Sequence, residues 1–317
     1  MRAAIFDLGT NVFNVAICDF DSGGKYIRKI GKYPSRLGDG GILKGYISEK
    51  SFSNGFRAFG VLADMVRKYG GADIYKAYAT SAVRDASNGA EFVASLESEY
   101  GIPIEVISGD REAELIFRGV SSAVSFEKIL EGGGNALILD IGGGSDEFII
   151  TDGKKILFEH SFPLGMARMR EMFPFPEPVS VENAAHFTDF VNKSLSLLWE
   201  AVSGFRPNVL VGSSGTFDTF RDMIYGDKNK KDVSVGLPME NLYDLHEKLL
   251  RSTTGQRMKM RGMSGVRVDY IVLASLFTMI VMEHVKPAAV YQSSYSLKEG
   301  AMAEVYEKFL RDENTYN

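Results

Sequence analysis

The amino-acid sequence predicts an α/β protein with two domains, each built from a sheet with flanking helices. Its length of 317 residues is typical of about two domains. One pattern, in which an apolar strand leads to an aspartate, a glycine-containing turn and a second strand, occurs at 5–17 and again at 137–150. After each copy, the periodicity of apolar residues predicts a third strand and then alternating helices and strands.

The repeated pattern places a carboxylate at the end of a strand, before a turn with few side chains. The first copy reads IFDLGTNVFNVAI and contains Asp7; the second reads LILDIGGGSDE and contains Asp140. Glycine lets another molecule approach the backbone closely, and successive N–H groups in such a turn form a concave anion site. The pattern indicates a phosphate site with a metal ion or water beside it. A tight hairpin with solvated acids at its tip is the alternative interpretation.

The two copies also predict where the chain divides. They lie too far apart for a solenoid, whose period is about 20–50 residues, so we interpret them as a repeat of whole domains; chance resemblance of two hairpins is the alternative. The segment EKILEGGGN, at 127–135, is charged and glycine-rich, as a domain boundary should be. We therefore predict domains at 1–125 and 126–317, with a last helix, about 296–312, that could pack back against the first domain.

The elements of the first domain follow from turn signals and apolar spacing. Strands are predicted at 3–8, 12–20 and 25–33. Ser48 can cap a helix that continues to about Tyr69, because apolar residues recur there at helical spacing. The remaining predicted elements are a strand at 74–79, a helix at 90–100, a strand at 104–107 and a helix from SGDREAEL to about 124.

The second domain repeats this order. Its predicted strands lie near 135–141, 146–151 and 154–161, and a long helix is predicted over roughly 180–203. The segment NVLVGSS predicts another strand after Pro207. The remaining predicted elements are helices near 239–251 and 267–285, a strand at 288–291 and a helix near 296–312.

Composition excludes several classes of protein. The chain is 45% hydrophobic and 24% charged, with no apolar run long enough to span a membrane. Asp7 interrupts the N-terminal segment, so we expect no signal peptide. The single cysteine, Cys18, fits a reducing, cytoplasmic compartment. A net charge of −5 disfavours nucleic-acid binding. Two basic clusters could still recruit an anion; solvated loops or strand faces are the alternative interpretation. The first cluster is Lys25, Arg28, Lys29, Lys32 and Arg36, and the second is Lys228, Lys230 and Lys231.

Five motifs in order resemble those of the exopolyphosphatase/guanosine pentaphosphate phosphatase family, within the actin, hexokinase and Hsp70 ATPase superfamily. They are DLGTN at 7–11, ATSAVRDA at 79–86, ISGDREAELIFRGV at 107–120, LDIGGGSDEF at 139–148 and GSSGT at 212–216, with a weaker match, SLKEGAM, at 296–302. The resemblance implies two actin-like (ribonuclease H-like) domains, each a mixed five-stranded sheet with flanking helices, facing across a cleft. It also implies a short form without the C-terminal HD-type domain of longer members.

Phosphate binding is expected at three turns. The two hairpins could supply Thr10 and Asn11 from one domain and Gly143, Gly144 and Ser145 from the other. In GSSGT, the candidates are Ser214, Gly215 and Thr216. That turn could bind a phosphate, or Ser214 could simply cap the following helix.

Hydrolysis of a phosphoanhydride needs charge neutralisation, in-line geometry and an activated water. The resemblance implies that Glu112 activates the water and that Glu147 is a second catalytic carboxylate; stabilisation of a helix end is the alternative for the acids of SGDREAEL. Arg84 could bind phosphate as a bidentate cation, unless it forms a salt bridge with Asp85 or another neighbour. Mg²⁺ (or Mn²⁺) would be held through Asp140 and through Asp7 or Glu147.

The expected substrate is inorganic polyphosphate or guanosine pentaphosphate, with polyphosphate favoured, and related short proteins suggest a homodimer. An ATP-dependent kinase or ATPase of the same superfamily and a non-catalytic polyphosphate or alarmone sensor are the alternatives. Val12, Asp146 and Lys298 depart from the family pattern, which commonly has a small hydroxyl residue, threonine and arginine at these positions. An additional acid at position 146 should weaken anion binding unless it faces away or holds a metal.

Overall fold

The computed structural model describes residues 1–226 and 232–315. These form two compact units. The first comprises Met1–Ser122 together with the C-terminal helix Leu297–Thr315, and the second comprises Ala123–Ser296. The basic cluster of Lys228, Lys230 and Lys231 lies outside the described residues.

The first unit contains a mixed sheet of five strands with helices packed on it. The strand order is β3-β2-β1-β4-β5, in which β1, β2 and β3 are antiparallel and β4 and β5 run parallel to β1. The elements are β1 (Arg2–Leu8), β2 (Val12–Asp21), β3 (Gly24–Pro34), α1 (Glu49–Lys68), β4 (Ile74–Ala79), α2 (Ser81–Arg84), α3 (Gly89–Tyr100), β5 (Ile104–Val106) and α4 (Gly109–Ser121).

Helix α1 shows how the sequence determines this packing. The hydroxyl of Ser48 accepts a hydrogen bond from the backbone N–H of Ser51, so it caps the first turn as predicted. Phe59 and Leu62 are buried on the face that meets the sheet. The ring of Phe59 stacks on Phe6 of β1, with 5.1 Å between ring centroids. The core of the first unit therefore lies between α1, α3 and one face of the sheet.

The second unit contains a sheet with the order β10-β11-β9-β6-β7-β8. Its elements are α5 (Val124–Ile129), β6 (Ala136–Ile141), β7 (Asp146–Thr151), β8 (Ile156–Phe162), α6 (Met166–Met172), α7 (Val181–Ser194), α8 (Ser196–Phe205), β9 (Val209–Ser213), α9 (Ser214–Tyr225), β10 (Ser234–Gly236), α10 (Met239–Leu250), α11 (Thr254–Arg257), α12 (Ile271–Val285) and β11 (Ala289–Ser293). The chain then enters α13 (Leu297–Thr315), which belongs to the first unit.

The second unit differs from the prediction in its sheet and in its longest predicted helix, and its short helices α5, α6 and α11 were not predicted. The described part of its sheet has a sixth strand, β10, which is antiparallel to β11. With three residues, β10 is too short to show an alternating pattern. The helix predicted over 180–203 is two helices, α7 and α8, which are separated at Leu195. Backbone hydrogen bonds continue on both sides of Leu195, and neither glycine nor proline lies at the junction. The sequence therefore contains no helix-breaking residue that would mark the break.

The predicted fold class, α/β with two mixed sheets and flanking helices, is confirmed. Among the helices of the described residues, none combines the length and the apolar character that crossing a lipid bilayer requires.

Candidate active site

In the hairpin turn of the first unit, the carbonyl groups accept hydrogen bonds from the segment after β3, whereas the N–H groups of the turn have no acceptor among the described residues. The carbonyl of Thr10 accepts from the N–H of Leu37 at 2.7 Å, and the carbonyl of Asn11 accepts from the N–H of Ser35 at 3.0 Å. A Cβ at Gly9 would lie 2.9 Å from the carbonyl oxygen of Val12, so the turn requires a residue without a side chain. Within residues 1–226 and 232–315, the N–H groups of Gly9, Thr10 and Asn11 donate no hydrogen bond.

The side-chain amide of Asn11 is a second observation that indicates an anion site. Its side chain is buried, and neither Nδ2 nor Oδ1 has a hydrogen-bonding partner among the described residues. A buried amide without partners costs roughly 1–3 kcal/mol, so native proteins rarely keep one without a reason. A phosphate oxygen next to the turn would supply the acceptor that Nδ2 lacks.

Arg84 and Glu112, which the sequence places in separate motifs, meet in the first unit. Glu112 lies in the first turn of α4, which the side chain of Ser108 caps, and it is 8% exposed. Nη1 of Arg84 donates to Oε2 of Glu112 at 3.0 Å and to the carbonyl of Ile107 at 3.1 Å. The salt bridge expected as an alternative is also present, with 3.4 Å between Nε of Arg84 and Oδ1 of Asp85. Arg84 is therefore engaged in orienting Glu112.

Asp7, the first metal-binding candidate, lies at the end of β1. Its Oδ2 accepts a hydrogen bond from Nδ2 of Asn14 at 2.9 Å, across the β1–β2 ladder. The first unit thus holds Asp7, Thr10, Asn11, Arg84 and Glu112, and the other predicted site residues lie in the second unit.

The triglycine turn of the second unit has the same arrangement of backbone groups. Its carbonyls accept hydrogen bonds from the start of α6: Gly142 from the N–H of Met166, Gly143 from the N–H of Ala167, and Gly144 from Nε of Arg168. A Cβ at Gly165 would collide with the backbone between Gly143 and Gly144, so this close approach requires glycine. The N–H groups of Gly143, Gly144 and Ser145 donate no hydrogen bond to any part of the chain that the structure describes.

Asp140 and Glu147 face each other in the β6–β7 ladder, and both are buried. Oδ2 of Asp140 accepts from the hydroxyl of Ser296 at 2.7 Å and lies 3.3 Å from that of Ser213. Burial raises the pKa of Asp140, whereas these hydroxyl groups lower it. Oε1 of Glu147 accepts from the hydroxyl of Ser145 at 2.7 Å. Each carboxylate is therefore held in one orientation by hydroxyl groups.

Asp146, a departure from the family pattern, is fully buried at the start of β7. Its Oδ1 accepts from the N–H of Gly142 at 3.1 Å, while Oδ2 has no partner in the described ranges. Burial, followed by the charge of Glu147, raises the pKa of Asp146 well above its ordinary value. The raised pKa favours the protonated form, so Asp146 adds less negative charge beside the turn than its residue type suggests.

The GSSGT segment joins β9 to α9. Ser214 adopts a left-handed backbone conformation with φ 69°. The predicted alternative, in which Ser214 caps the helix, is wrong: Ser213 occupies the N-cap position, and no side chain caps the helix. Thr216 is buried in the first turn of α9.

Arg267 is a residue whose place in the site the motifs did not predict. Its guanidinium lies so close to Gly215 that a Cβ there would collide with it. Its positive charge also acts on Asp140, whose pKa it lowers. Burial lowers the pKa of Arg267, whereas the negative charges of Asp218 and Asp140 raise it. Local sequence patterns could not predict this contact, because it joins residues far apart in the chain.

Lys298, another departure, is buried in α13 with its Nζ 3.0 Å from Oε1 of Glu299. This pair lies within the first unit, so Lys298 has a structural contact there. The described residues contain no group of three or more His, Cys, Asp or Glu side chains arranged to hold a metal ion.

Comparison with known proteins gives consistent matches over most of the chain. The profile of the Ppx/GppA phosphatase family matches residues 26–309. The chain is 26% identical over 312 residues to Exopolyphosphatase 1 of Mycobacterium tuberculosis, a match that covers 95% of this chain and 87% of that protein. It is 25% identical over 304 residues to guanosine-5′-triphosphate,3′-diphosphate pyrophosphatase of Pseudoalteromonas translucida, covering 94% of this chain and 58% of that protein. The crystal structure of an exopolyphosphatase from Cytophaga hutchinsonii aligns with TM-score 0.92 and 33% identity, covering 97% and 98% of the two chains.

Proposed function

This chain belongs to the Ppx/GppA phosphatase family, and we propose that it is a metal-dependent phosphatase that releases a terminal phosphate from a phosphoanhydride. The proposed substrate is inorganic polyphosphate or the 5′ γ-phosphate of guanosine pentaphosphate. One observation carries the proposal: each unit has an aspartate-ended strand followed by a turn whose N–H groups have no acceptor among the described residues. Such turns neutralise the charge of a phosphate without a side chain.

Glu112 is the proposed base that activates the attacking water. A carboxylate at the start of a helix is stabilised there by the helix dipole, and Arg84 holds the carboxylate of Glu112 in a fixed direction. A fixed base loses less entropy on reaching the reactive geometry, and a positioned base contributes roughly 10²–10⁴-fold to a rate. Glu147 is proposed as the second catalytic carboxylate.

Mg²⁺ or Mn²⁺ is the proposed cofactor. Magnesium takes oxygen ligands and keeps several waters, so it is bound through one or two carboxylates together with substrate phosphates rather than by a full protein cage. Asp140 and Glu147 fit this requirement, because they are buried oxygen donors whose orientations are fixed by hydroxyl groups. Asp140 would hold the ion with Glu147, and a bound ion would neutralise charge on the phosphates. Asp7 is a separate candidate ligand in the first unit. Arg267 is proposed as a further phosphate-binding cation.

Polyphosphate is the substrate that we favour. The exposed side chains of Lys29 and Lys32 lie on edge strand β3 and give the first unit basic groups along which an anionic chain could extend, whereas the neighbouring Arg28 is paired with Asp19. A non-catalytic sensor would keep the cleft but lose rate, and the departures at Val12 and Asp146 are the residues that favour it. Burial favours the protonated form of Asp146, which weakens the argument from that residue. A cytoplasmic homodimer remains part of the proposal.

The test is phosphate release from polyphosphates of several lengths, guanosine pentaphosphate and ATP, with and without Mg²⁺ or Mn²⁺. We expect magnesium-dependent release from long polyphosphate, and its loss in Glu112→Gln. Asp110→Asn is the matched control, because Asp110 is an exposed carboxylate in the same first turn of α4. Absence of release from polyphosphate and guanosine pentaphosphate with either metal would contradict the proposal; turnover of ATP with transfer to an acceptor would favour a kinase.

A further inference from the structure

The segment after β11 is fixed to Asp140 by a network of buried hydroxyl groups in the second unit. The hydroxyl of Ser296 lies 2.7 Å from Oδ2 of Asp140. That of Ser213 lies 3.3 Å from the same oxygen and 3.1 Å from the carbonyl of Tyr295. The N–H of Tyr295 donates to the hydroxyl of Ser293 at 3.2 Å, so the segment has a defined conformation.

Ser296 is the principal donor to Asp140 in this network. A hydroxyl has one proton to donate, and Ser213 has two possible acceptors, both at longer distances than the bond from Ser296. Both contacts end on Oδ2, and a hydrogen bond from the side chain of Ser214 also lowers the pKa of Asp140. The Ser296 bond, at 2.7 Å, is shorter than the Ser213 contact, at 3.3 Å, so it contributes most to the orientation of Oδ2.

The residue after Ser296 begins α13, which supports α4 within the first unit. Gly300 lets α13 approach the backbone of α4, because a Cβ there would collide with the carbonyl of Leu115. Arg111 of α4 forms an ion pair with Glu304 at 2.6 Å, and Arg118 forms one with Glu307 at 3.2 Å. Arg111 immediately precedes Glu112 in the sequence.

We propose that Ser296 is a positioning residue, whose hydroxyl sets the Asp140 carboxylate to receive a divalent cation and ties that cation site to the start of α13. Cation binding at Asp140 then fixes Ser296, the residue that immediately precedes α13 in the chain. This inference rests on the proposed function for the identity of the cation. Mutation of a side chain that orients a metal ligand in this way typically lowers metal affinity 10–100-fold.

Direct Mn²⁺ binding by the full chain, followed by electron paramagnetic resonance, is the first measurement. We expect Ser296→Ala to weaken Mn²⁺ binding at least about tenfold, and Ser296→Thr, which keeps the hydroxyl, to restore most of the affinity. The matched control is Ser294→Ala, because the hydroxyl of Ser294 contacts Arg221 and Gln292 instead of Asp140. Ser213→Ala should weaken binding by less than Ser296→Ala, and it tests the network if Ser296→Ala does not fold.

Hydrogen exchange measures the second part of the inference. In the wild-type chain, Mn²⁺ should slow exchange at the amides of 298–303, and in Ser296→Ala it should not. The inference would be overturned if Ser296→Ala bound Mn²⁺ as tightly as the wild type. It would also be overturned if Mn²⁺ left the exchange rates at 298–303 of the wild-type chain unchanged. Both measurements are made without substrate. A chain that binds Mn²⁺ as expected but releases no phosphate therefore contradicts the proposed function and leaves this inference supported.

Discussion

Nη1 of Arg84 lies 3.0 Å from Oε2 of Glu112, although the two residues are 28 positions apart in the chain. The same nitrogen donates to the carbonyl of Ile107, which lies just before the helix that carries Glu112. Arg84 therefore fixes both the backbone at the entrance to α4 and the carboxylate in its first turn. This geometry gives the arginine a positioning role besides any contact with phosphate.

Replacement of Arg84 by lysine should separate these roles. Lysine keeps the positive charge but cannot reproduce the planar set of donors that reaches Glu112, Ile107 and Asp85 together. We expect Arg84→Lys to lower kcat for phosphate release about 10–100-fold with a smaller change in KM, whereas Arg84→Ala should lower kcat and also raise KM. Steady-state kinetics with long-chain polyphosphate measures both, and unchanged kcat and KM in Arg84→Ala would remove Arg84 from the site.

Asn11 should show a trade-off between stability and binding. Leucine has the same branching and the same number of side-chain heavy atoms, so Asn11→Leu replaces two buried, unpartnered polar atoms by methyl groups without leaving a cavity. We expect the free energy of unfolding in denaturant to rise by about 1 kcal/mol, and KM for phosphate release to rise at least tenfold. Sites that bind ligands often keep such destabilising groups. Loss of stability together with unchanged KM would show that Asn11 has a structural role only.

Gly165 allows the triglycine turn to form, so its replacement should disturb that turn. In Gly165→Ala, the new Cβ collides with the backbone between Gly143 and Gly144 and must displace the turn. We expect phosphate release to fall at least tenfold, and stability to fall by about 1–3 kcal/mol, as in other overpacked sites. Gly132→Ala is the control, because a Cβ at Gly132 meets open space. Full activity in Gly165→Ala would show that the observed position of the turn is unnecessary.

The sequence predicted the hairpins and the residues in them, because an acid at the end of a strand and a turn without side chains are local features. It did not predict the environment that gives those residues their properties. The sequence identifies Asp146 as an additional acid, whereas its complete burial decides its protonation. Likewise, the contact between Arg267 and Gly215 depends on long-range packing. The break at Leu195 has no glycine or proline signal.

Asp146 makes stability depend on pH in a direction that can be predicted. Its pKa in the folded protein is raised from an ordinary value of 3.8, by burial first and then by the charge of Glu147. Below that ordinary value the carboxyl is protonated in both the folded and the unfolded chain, so it causes no loss of stability. As the pH rises towards the folded-state pKa, the unfolded chain releases the proton more readily, and the free energy of unfolding falls.

Asp146→Asn removes this titration while keeping the shape of the side chain. The variant should match the wild type at pH 3.5 and be more stable than the wild type at pH 7, with a difference that grows as the pH rises. Denaturant unfolding across this pH range measures the difference; some slope should remain, because burial also raises the pKa of Asp140. Asp152→Asn is the control with the opposite sign, since backbone hydrogen bonds from Lys155 and Lys154 lower the pKa of Asp152. If Asp146→Asn and the wild type lose stability in parallel as the pH rises, Asp146 is already ionised in the folded chain. The turn beside it would then carry the additional negative charge.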